Sequence, residues 1–233
     1  MTQKHALITG ITGQDGSFLA EQLLAKSYKV FGLVRHCSTT NLSRIQHILN
    51  RITLIPGDLS DGDSLTLAVK QAMPDEVYNL AAQSFVGDSW TLREYTLDIN
   101  AMGCARMLEA IRFVKPDAKF YQASTSEMVG EFGGLRHDES TPLRPRSPYG
   151  VSKVAAHWLT VNYRESYDMF TCCGILNNHE SERRGMEFVT RKISHGVAQI
   201  AKKKARHIPM GNLNARRDWG YAPDYTDAMW RML

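Results

Sequence analysis

Three glycines, Gly10, Gly13 and Gly16, stand between the apolar run Ala6-Leu7-Ile8-Thr9 and a stretch of helical spacing that carries Phe18, Leu19, Leu23 and Leu24. A glycine turn in that context lets the backbone bend tightly and approach a pyrophosphate, whose charge rests on the N-terminus of the following helix. The strand theme then recurs: residues 30–34, 52–55, 76–80, 120–123 and 171–176 are short, mostly apolar runs. Segments of helical pattern, such as 99–114 and 149–167, separate the later ones. Strands that can be buried on both faces, joined by helical crossovers, predict an α/β fold with a doubly wound, Rossmann-type parallel sheet.

The chain has 233 residues, enough for one large α/β domain or one domain plus part of another. After Leu176 the texture turns polar, with Asn177-Asn178-His179-Glu180 and Arg183-Arg184-Gly185. This places a dinucleotide-binding domain at residues 1–176. Residues 177–233 begin a smaller substrate region interleaved with the last sheet strands. Within it the pattern predicts a helix over 188–203, a short strand at Ile208-Pro209-Met210 and an amphipathic helix that includes 229–233. An ending inside a helix predicts that this C-terminal region is incomplete.

The N-terminus enters a strand almost at once, which leaves no room for a signal peptide. No run approaches the roughly 18 apolar residues of a membrane span. Cys37, Cys104, Cys172 and Cys173 show no CxxC spacing and read as reduced, mostly buried thiols of a cytoplasmic protein. The net charge of +4 is too mild to call for nucleic acid. The basic run Lys202-Lys203-Lys204-Ala205-Arg206 lacks interleaved aromatics and fits a solvated helix end. Neither nucleic acid nor membrane is expected as a partner, and no metal.

The chemistry concentrates at four positions. Tyr149 and Lys153 stand at i and i+4, side by side on one helix face. An ammonium beside a phenol favours the phenolate, so the pair is suited to take a proton from a sugar hydroxyl while a nicotinamide takes the hydride. Ser147-Pro148-Tyr149 reads as an N-cap followed by a first-turn proline. Thr125 and Glu127 follow the fifth strand at i and i+2, which an extended backbone points to one side. A carboxylate there can remove a carbon-bound proton, as an enzyme eliminating water requires; a structural salt bridge is the alternative.

Arg35 ends the second strand, where an acidic ribose ligand would serve NAD. A guanidinium suits a 2′-phosphate, so NADP is favoured. Asp58 and Leu59, after the third strand, are placed to flank the adenine, or Asp58 only caps a helix. Leu80, Ala81, Ala82, Gln83 and Ser84 end the fourth strand with small residues that leave space for a dinucleotide.

These residues carry a resemblance. The chain resembles the extended short-chain dehydrogenase/reductases, and within them the GDP-mannose 4,6-dehydratase family of sugar-nucleotide dehydratases. The matching stretches are Gly10–Gly16, Asn79–Ser84, Tyr121–Glu127, Pro145–Gly150, Trp158–Glu165, Asn178–Ser181, Phe188–Lys192 and Gly211–Gly220. The resemblance implies a hydro-lyase that dehydrates GDP-mannose to GDP-4-keto-6-deoxy-mannose with recycled NADP, working as a homodimer or homotetramer. It implies that Thr125, Glu127, Tyr149 and Lys153 are catalytic. It implies cofactor contacts from Gly10, Thr12, Gly13, Gln14, Asp15, Gly16, Arg35, Asp58, Leu59, the 80–84 stretch, Tyr95, His179 and Arg184, joined by Tyr149 and Lys153. Substrate contacts fall to Asn178, Lys192 and Arg217. The segment 37–44 lies where relatives reach a neighbouring subunit's cofactor.

The pattern is broken at Asn177 and Val129, where aromatic residues are usual, at Glu182, where proline is usual, and at His36, where a second arginine is usual. Family members continue well beyond Leu233. The competing readings are another sugar-nucleotide dehydratase or 4-epimerase, and a catalytically idle NADP-binding protein.

Overall fold

The computed structural model describes residues 3–37, 41–130 and 137–233. Six parallel strands form the central sheet in the order β3-β2-β1-β4-β5-β6. They are β1 (His5–Thr9), β2 (Lys29–Val34), β3 (Ile52–Pro56), β4 (Glu76–Asn79), β5 (Lys119–Thr125) and β6 (Thr171–Leu176). The order reverses between β1 and β4, so the carboxyl ends of these two strands frame a crevice, the usual ligand position in a sheet of this kind.

Successive strand residues face opposite sides, and two cores follow from that alternation. Leu7, Val77 and Phe120 face one core with α2 (Gly62–Ala72) and α4 (Gly103–Val114). Ala6, Ile8, Tyr78 and Tyr121 face the other, with α1 (Gln14–Ala25). Burial on both faces explains why these strands read as apolar runs and not as alternating ones.

Three polar side chains cross the carboxyl end of the sheet. The Thr9 hydroxyl donates to Asn79 Oδ1 at 2.8 Å and accepts from the backbone N–H groups of Leu80 and Ala81, each at 3.0 Å. Asn79 Nδ2 in turn donates to Gln122 Oε1 at 2.8 Å. All three residues are almost fully buried, so each bond replaces water that cannot reach them. At the opposite, amino end of the strands, buried Glu76 accepts from Lys4 Nζ at 2.9 Å, Tyr78 Oη at 2.8 Å and Tyr28 Oη at 3.1 Å.

A short α3 (Arg93–Leu97) runs into α4 through a widened, π-type turn at Asp98–Met102. The helix predicted over 99–114 therefore begins earlier and contains a bulge. Asn100 lies in that bulge, and its side-chain amide donates to the Gln83 carbonyl at 3.0 Å and to Ser152 Oγ at 2.9 Å. It ties the segment after β4 to α5 (Pro148–Tyr167). The start of α5 follows its sequence: Ser147 Oγ accepts from Gly150 N at 3.0 Å and Pro148 occupies the first turn.

Beyond β6 come β7 (Asn178–Glu180), α6 (Val189–Ala201), β8 (Trp219–Tyr221) and α7 (Ala222–Met232). β7 and β8 pair in parallel as a separate two-stranded sheet. α7 returns to the first helix, where Gln22 Nε2 donates to Asp227 Oδ1 at 2.8 Å and Lys26 Nζ stands 3.5 Å from the Trp230 ring centroid.

Some expectations are corrected here. Residues 208–210 form no strand; Pro209 has no N–H to give a ladder, and Met210 is exposed. Glu127 is not on extended backbone, because β5 ends at Thr125 and Ser126–Met128 is a 3-10 turn. Only Cys104 of the four cysteines is fully buried; Cys172 and Cys173 are half-buried and Cys37 is exposed. Among the described residues no helix is long and apolar enough to cross a membrane.

Candidate active site

The crevice between the ends of β1 and β4 opens into a cavity of about 650 Å³. Its floor is the glycine turn. Gly10 has φ +70, and a Cβ there would meet Ala81 N at 2.8 Å. A Cβ on Gly16 would collide with the Gly10 carbonyl oxygen, so α1 can pack this close to β1 only without one. Gly13 is the N-cap of α1 and has no side chain to cap it, which leaves the first N–H groups of the helix facing the cavity. Such a cradle, with a helix N-terminus at its centre, fits a pyrophosphate.

Around this floor the cavity is lined by most of the residues the sequence singles out. Thr12, Gln14, Asp15, Arg35, Asp58, Leu59, Leu80, Ala81, Ala82, Ser84, Tyr95, Asn178, His179, Arg184 and Arg217 all contribute to its wall. Arg35 Nη1 donates to Tyr95 Oη at 3.0 Å, which steadies an otherwise exposed guanidinium at one end of the cavity. Asp58 lines the cavity and accepts from Ser60 N at 2.9 Å and Ser60 Oγ at 2.8 Å in a turn, while the cap of α2 is Asp61, so Asp58 is not the helix cap.

Two expected residues stand elsewhere. Gln83 is not part of the wall, because its side-chain amide turns to donate to the Phe85 carbonyl at 2.9 Å. Lys192 is also absent from it, being carried half-buried on α6. His36 likewise contributes nothing to the cavity. Asn177, which breaks the family pattern, lines it and donates from Nδ2 to Asp218 Oδ2 at 3.0 Å. The departing Val129 is buried.

Thr125, Glu127, Tyr149 and Lys153 lie together on the far side of the same cavity. The tight turn after β5, not an extended strand, brings Glu127 there: Thr125 Oγ1 accepts from Glu127 N at 3.3 Å. Lys153 Nζ donates to the Ala123 carbonyl at 2.9 Å and is 5.9 Å from the Tyr149 ring centroid. Burial pushes the Tyr149 phenol up to about 12, and the Thr125 hydroxyl only partly opposes it. Burial pushes the Lys153 ammonium down to about 8. The expected stabilisation of the phenolate by the ammonium is therefore not made in this arrangement, and burial shifts each group toward its neutral form. Both groups lose water, and the ammonium spends a hydrogen bond on a carbonyl instead of on the phenol.

Residues the sequence reading missed complete the wall. Arg44 donates from Nε to the Arg183 carbonyl at 2.8 Å and from Nη1 to the Thr12 carbonyl at 3.2 Å, bridging two segments far apart in sequence. Beside Arg183, the expected Arg184 lies with its guanidinium 3.6 Å from the Phe188 ring centroid and pairs with Glu180 at 3.2 Å. Ser124, next to Thr125, accepts or donates to His157 Nδ1 at 3.1 Å. Adjacency to Arg184 and Thr125 was a usable signal for Arg183 and Ser124. Arg44 is the last residue of the 37–44 segment, expected to reach a neighbour's cofactor, and it lines this chain's own cavity instead.

Comparison with known proteins gives this site a context. The family model described as GDP-mannose 4,6 dehydratase matches residues 7–233. A GDP-mannose 4,6-dehydratase of Vibrio cholerae is 52% identical over 99% of the chain and 64% of its own length. A GDP-mannose 4,6 dehydratase of Homo sapiens is 49% identical over 98% of the chain, again with 64% of its own length covered. The chain thus spans a little under two thirds of the curated relatives it matches. Among solved structures, a UDP-glucose 4-epimerase of Thermus thermophilus in complex with NAD superposes with TM-score 0.84 at 26% identity, covering 98% of this chain and 74% of that one. A dTDP-glucose 4,6-dehydratase of Bacillus anthracis in complex with NAD gives 0.85 at 24% identity, covering 99% and 71%.

The shifted lysine makes a measurable prediction. Between about 8 and 10.5 the unfolded chain binds a proton that folded Lys153 does not, so this residue makes stability rise with pH across that window and detracts from it below. Lys153→Met should therefore be more stable than the parent at pH 7, by on the order of 1–3 kcal/mol. The gain should narrow as pH approaches 10. Urea unfolding at pH 7, 8.5 and 9.5 measures it, and a pH-independent loss of stability would contradict the burial argument.

Proposed function

Because the chain belongs to the GDP-mannose 4,6-dehydratase family, we propose that it forms the catalytic and cofactor-binding part of a hydro-lyase that converts GDP-mannose to GDP-4-keto-6-deoxy-mannose. The observation that carries this reading is the convergence of Thr125, Glu127, Tyr149 and Lys153 on one cavity with the glycine turn. Residues 1–176 would hold the dinucleotide, and 177–233 would begin the substrate region. The reading places the protein in the cytoplasm, in nucleotide-sugar metabolism that leads to deoxyhexoses.

NADP fits the residues present: the glycine cradle and open α1 N-terminus suit the pyrophosphate, and Arg35 suits a 2′-phosphate. When bound it supplies hydride acceptance at substrate C4 and hydride return at C6. The chain's own groups move the protons. Tyr149, held by the Thr125 hydroxyl, would take the proton of the 4-hydroxyl as a phenolate, a form that burial disfavours and that a positive charge brought beside it, such as an oxidised nicotinamide ring, would favour. A ketone at C4 acidifies the C5 proton, because the resulting carbanion is stabilised as an enolate. Glu127 removes that proton and delivers one to the departing 6-hydroxyl. Asn178 and Arg217, which also line the cavity, would meet the nucleotide-sugar. Lys192, outside the wall, has no such place in this arrangement.

Glu127 separates the competing readings. A 4-epimerase has no use for a carboxylate beside the tyrosine, whereas an elimination requires one. Related dTDP-glucose dehydratases usually carry Asp-Glu after the threonine, where this chain has Ser126-Glu127. An idle NADP-binding protein would show no turnover at all.

Incubation with GDP-mannose, read by the alkali absorbance of the 4-keto product, distinguishes these outcomes. Glu127→Gln should lower dehydration by about 10²–10⁴-fold while leaving oxidation at C4 possible, and Tyr149→Phe should suppress both. Deuterium at C4 should reappear at C6, and its release to solvent would overturn the internal transfer.

Cofactor choice is tested by titration of NADP and NAD. The parent should bind NADP more tightly, and Arg35→Asp should erase or invert that preference. Tighter NAD binding by the parent would refute the assignment.

Assembly follows from surface chemistry. Met102, Phe113, Val151 and Trp158 expose apolar side chains on the π-type turn, α4 and α5, a face suited to pairing about a two-fold axis. Light scattering at micromolar concentration should give at least a dimer, and a single-subunit mass would count against it. Within the 37–44 segment proposed to reach a neighbour's cofactor, residues 38–40 lie outside the described residues.

A further inference from the structure

His179 is 7% exposed and has an oxygen at hydrogen-bond distance from each ring nitrogen. Nε2 stands 2.7 Å from Asp15 Oδ2, and Nδ1 stands 2.7 Å from the Asn177 carbonyl oxygen. A carbonyl oxygen and an ionised carboxylate can only accept. A neutral imidazole has one N–H, so one of these short contacts would set a lone pair against a lone pair. Two donors are needed, and only the imidazolium has them.

A proton on Asp15 would also relieve the conflict, but its surroundings oppose one. Burial alone would push the Asp15 carboxyl up. The His179 hydrogen bond, Gln14 Nε2 donating at 3.0 Å and the nearby Arg184 guanidinium hold it below the usual range. It also sits in the first turn of α1, where the helix dipole favours an anion. The ring of His179 is stacked on Tyr225 of α7, centroids 4.5 Å apart and planes at 19°, and an aromatic face receives a cation well. The other charged groups around it are already engaged. Glu180 pairs with Arg184, Asp218 takes the Asn177 side chain, and across the cavity Tyr149 is within electrostatic reach of Glu127, Arg184 and Asp15.

We propose that His179 is a positioning residue held as an imidazolium, which acts through Asp15 to fix the glycine turn and the α1 N-terminus for the pyrophosphate of a dinucleotide. This rests on the cofactor reading above. The tie is not a single bond: Gln14 Nε2 donates to the His179 carbonyl at 3.1 Å, and Ser181 Oγ donates to Gln14 Oε1 at 2.8 Å. β7 thus holds both residues that lie between Gly13 and Gly16. Loss of the ring proton would free one anchor and leave the Asp15 charge uncompensated beside an anionic ligand. Burial alone would push the imidazole down, but the Asp15 hydrogen bond overrides it and the imidazole titrates above its ordinary value. The imidazolium is therefore fully present below the ordinary histidine range and is lost as pH rises through the raised value, so the effect on binding falls on the alkaline side.

The test uses the full chain with ¹⁵N-labelled histidine, its ring nitrogens followed by NMR from pH 6 to 9 and assigned by their disappearance in His179→Gln. NADP and NAD are titrated over the same range. The parent should show two protonated ring nitrogens at pH 7, and Asp15→Asn should move their titration to lower pH. His179→Gln, with no charge to offset Asp15, should weaken both nucleotides about tenfold without changing the preference between them. It should also lose the parent's alkaline decline in affinity. One protonated ring nitrogen at pH 7 overturns the imidazolium. A His179→Gln variant with the parent's affinity and pH profile overturns the positioning role alone. A parent that binds neither nucleotide overturns the cofactor reading together with this role, while the ring-nitrogen signals still decide the charge state.

Discussion

The hydroxyl of Thr9 is the point from which the site is organised. It donates once and accepts twice, locking the end of β1 to Asn79 and to the N–H groups of Leu80 and Ala81. Asn79 passes the constraint to Gln122 on β5. A buried polar chain of this kind has one satisfied arrangement and many costly ones, so it sets the relative height of three strand ends. Gly10 follows Thr9, the small residues of the 80–82 stretch follow Asn79, and Thr125 lies three residues after Gln122. The cradle and the reacting groups inherit their spacing from one network.

The two ends of the sheet treat buried charge differently. Glu76 is surrounded by an ammonium and two hydroxyls that stabilise its carboxylate. Tyr149 and Lys153 are buried as deeply, yet burial drives both toward their neutral forms. Groups left uncompensated detract from stability, and they persist where chemistry uses them. Asp15 and His179 take a third course, each supplying the charge that the other's burial would otherwise remove.

The C-terminal stretch is less separate than its composition suggests. α7 packs against α1 through Gln22–Asp227 and Lys26–Trp230, and Trp230 Nε1 donates to Tyr28 Oη at 3.3 Å. Tyr225 on the same helix stacks on His179 at the cavity. One helix therefore supports both the outer core and the wall of the site.

What depended on neighbours in the chain was legible in the sequence. The six strands, the glycine turn, the Ser147 cap and the Tyr149–Lys153 pair follow from periodicity, from backbone freedom at Gly10 and Gly16, and from helical spacing. The apolar run at 208–210 misled because Pro209 cannot sustain a ladder. What depended on side chains meeting across the fold was not legible. Glu127 enters the cavity by a turn in which its N–H donates to Thr125 Oγ1, and the Gln83 amide turns away to the Phe85 carbonyl. Arg44 bridges Thr12 and Arg183, and Asp15 meets His179 across 164 positions. Local sequence determines which elements form, because propensity and pattern act over a few residues. Tertiary packing alone decides which polar groups lose water together and which partners they then meet: loss of water shifts Lys153 and Tyr149, and the Asp15 contact overrides it at His179.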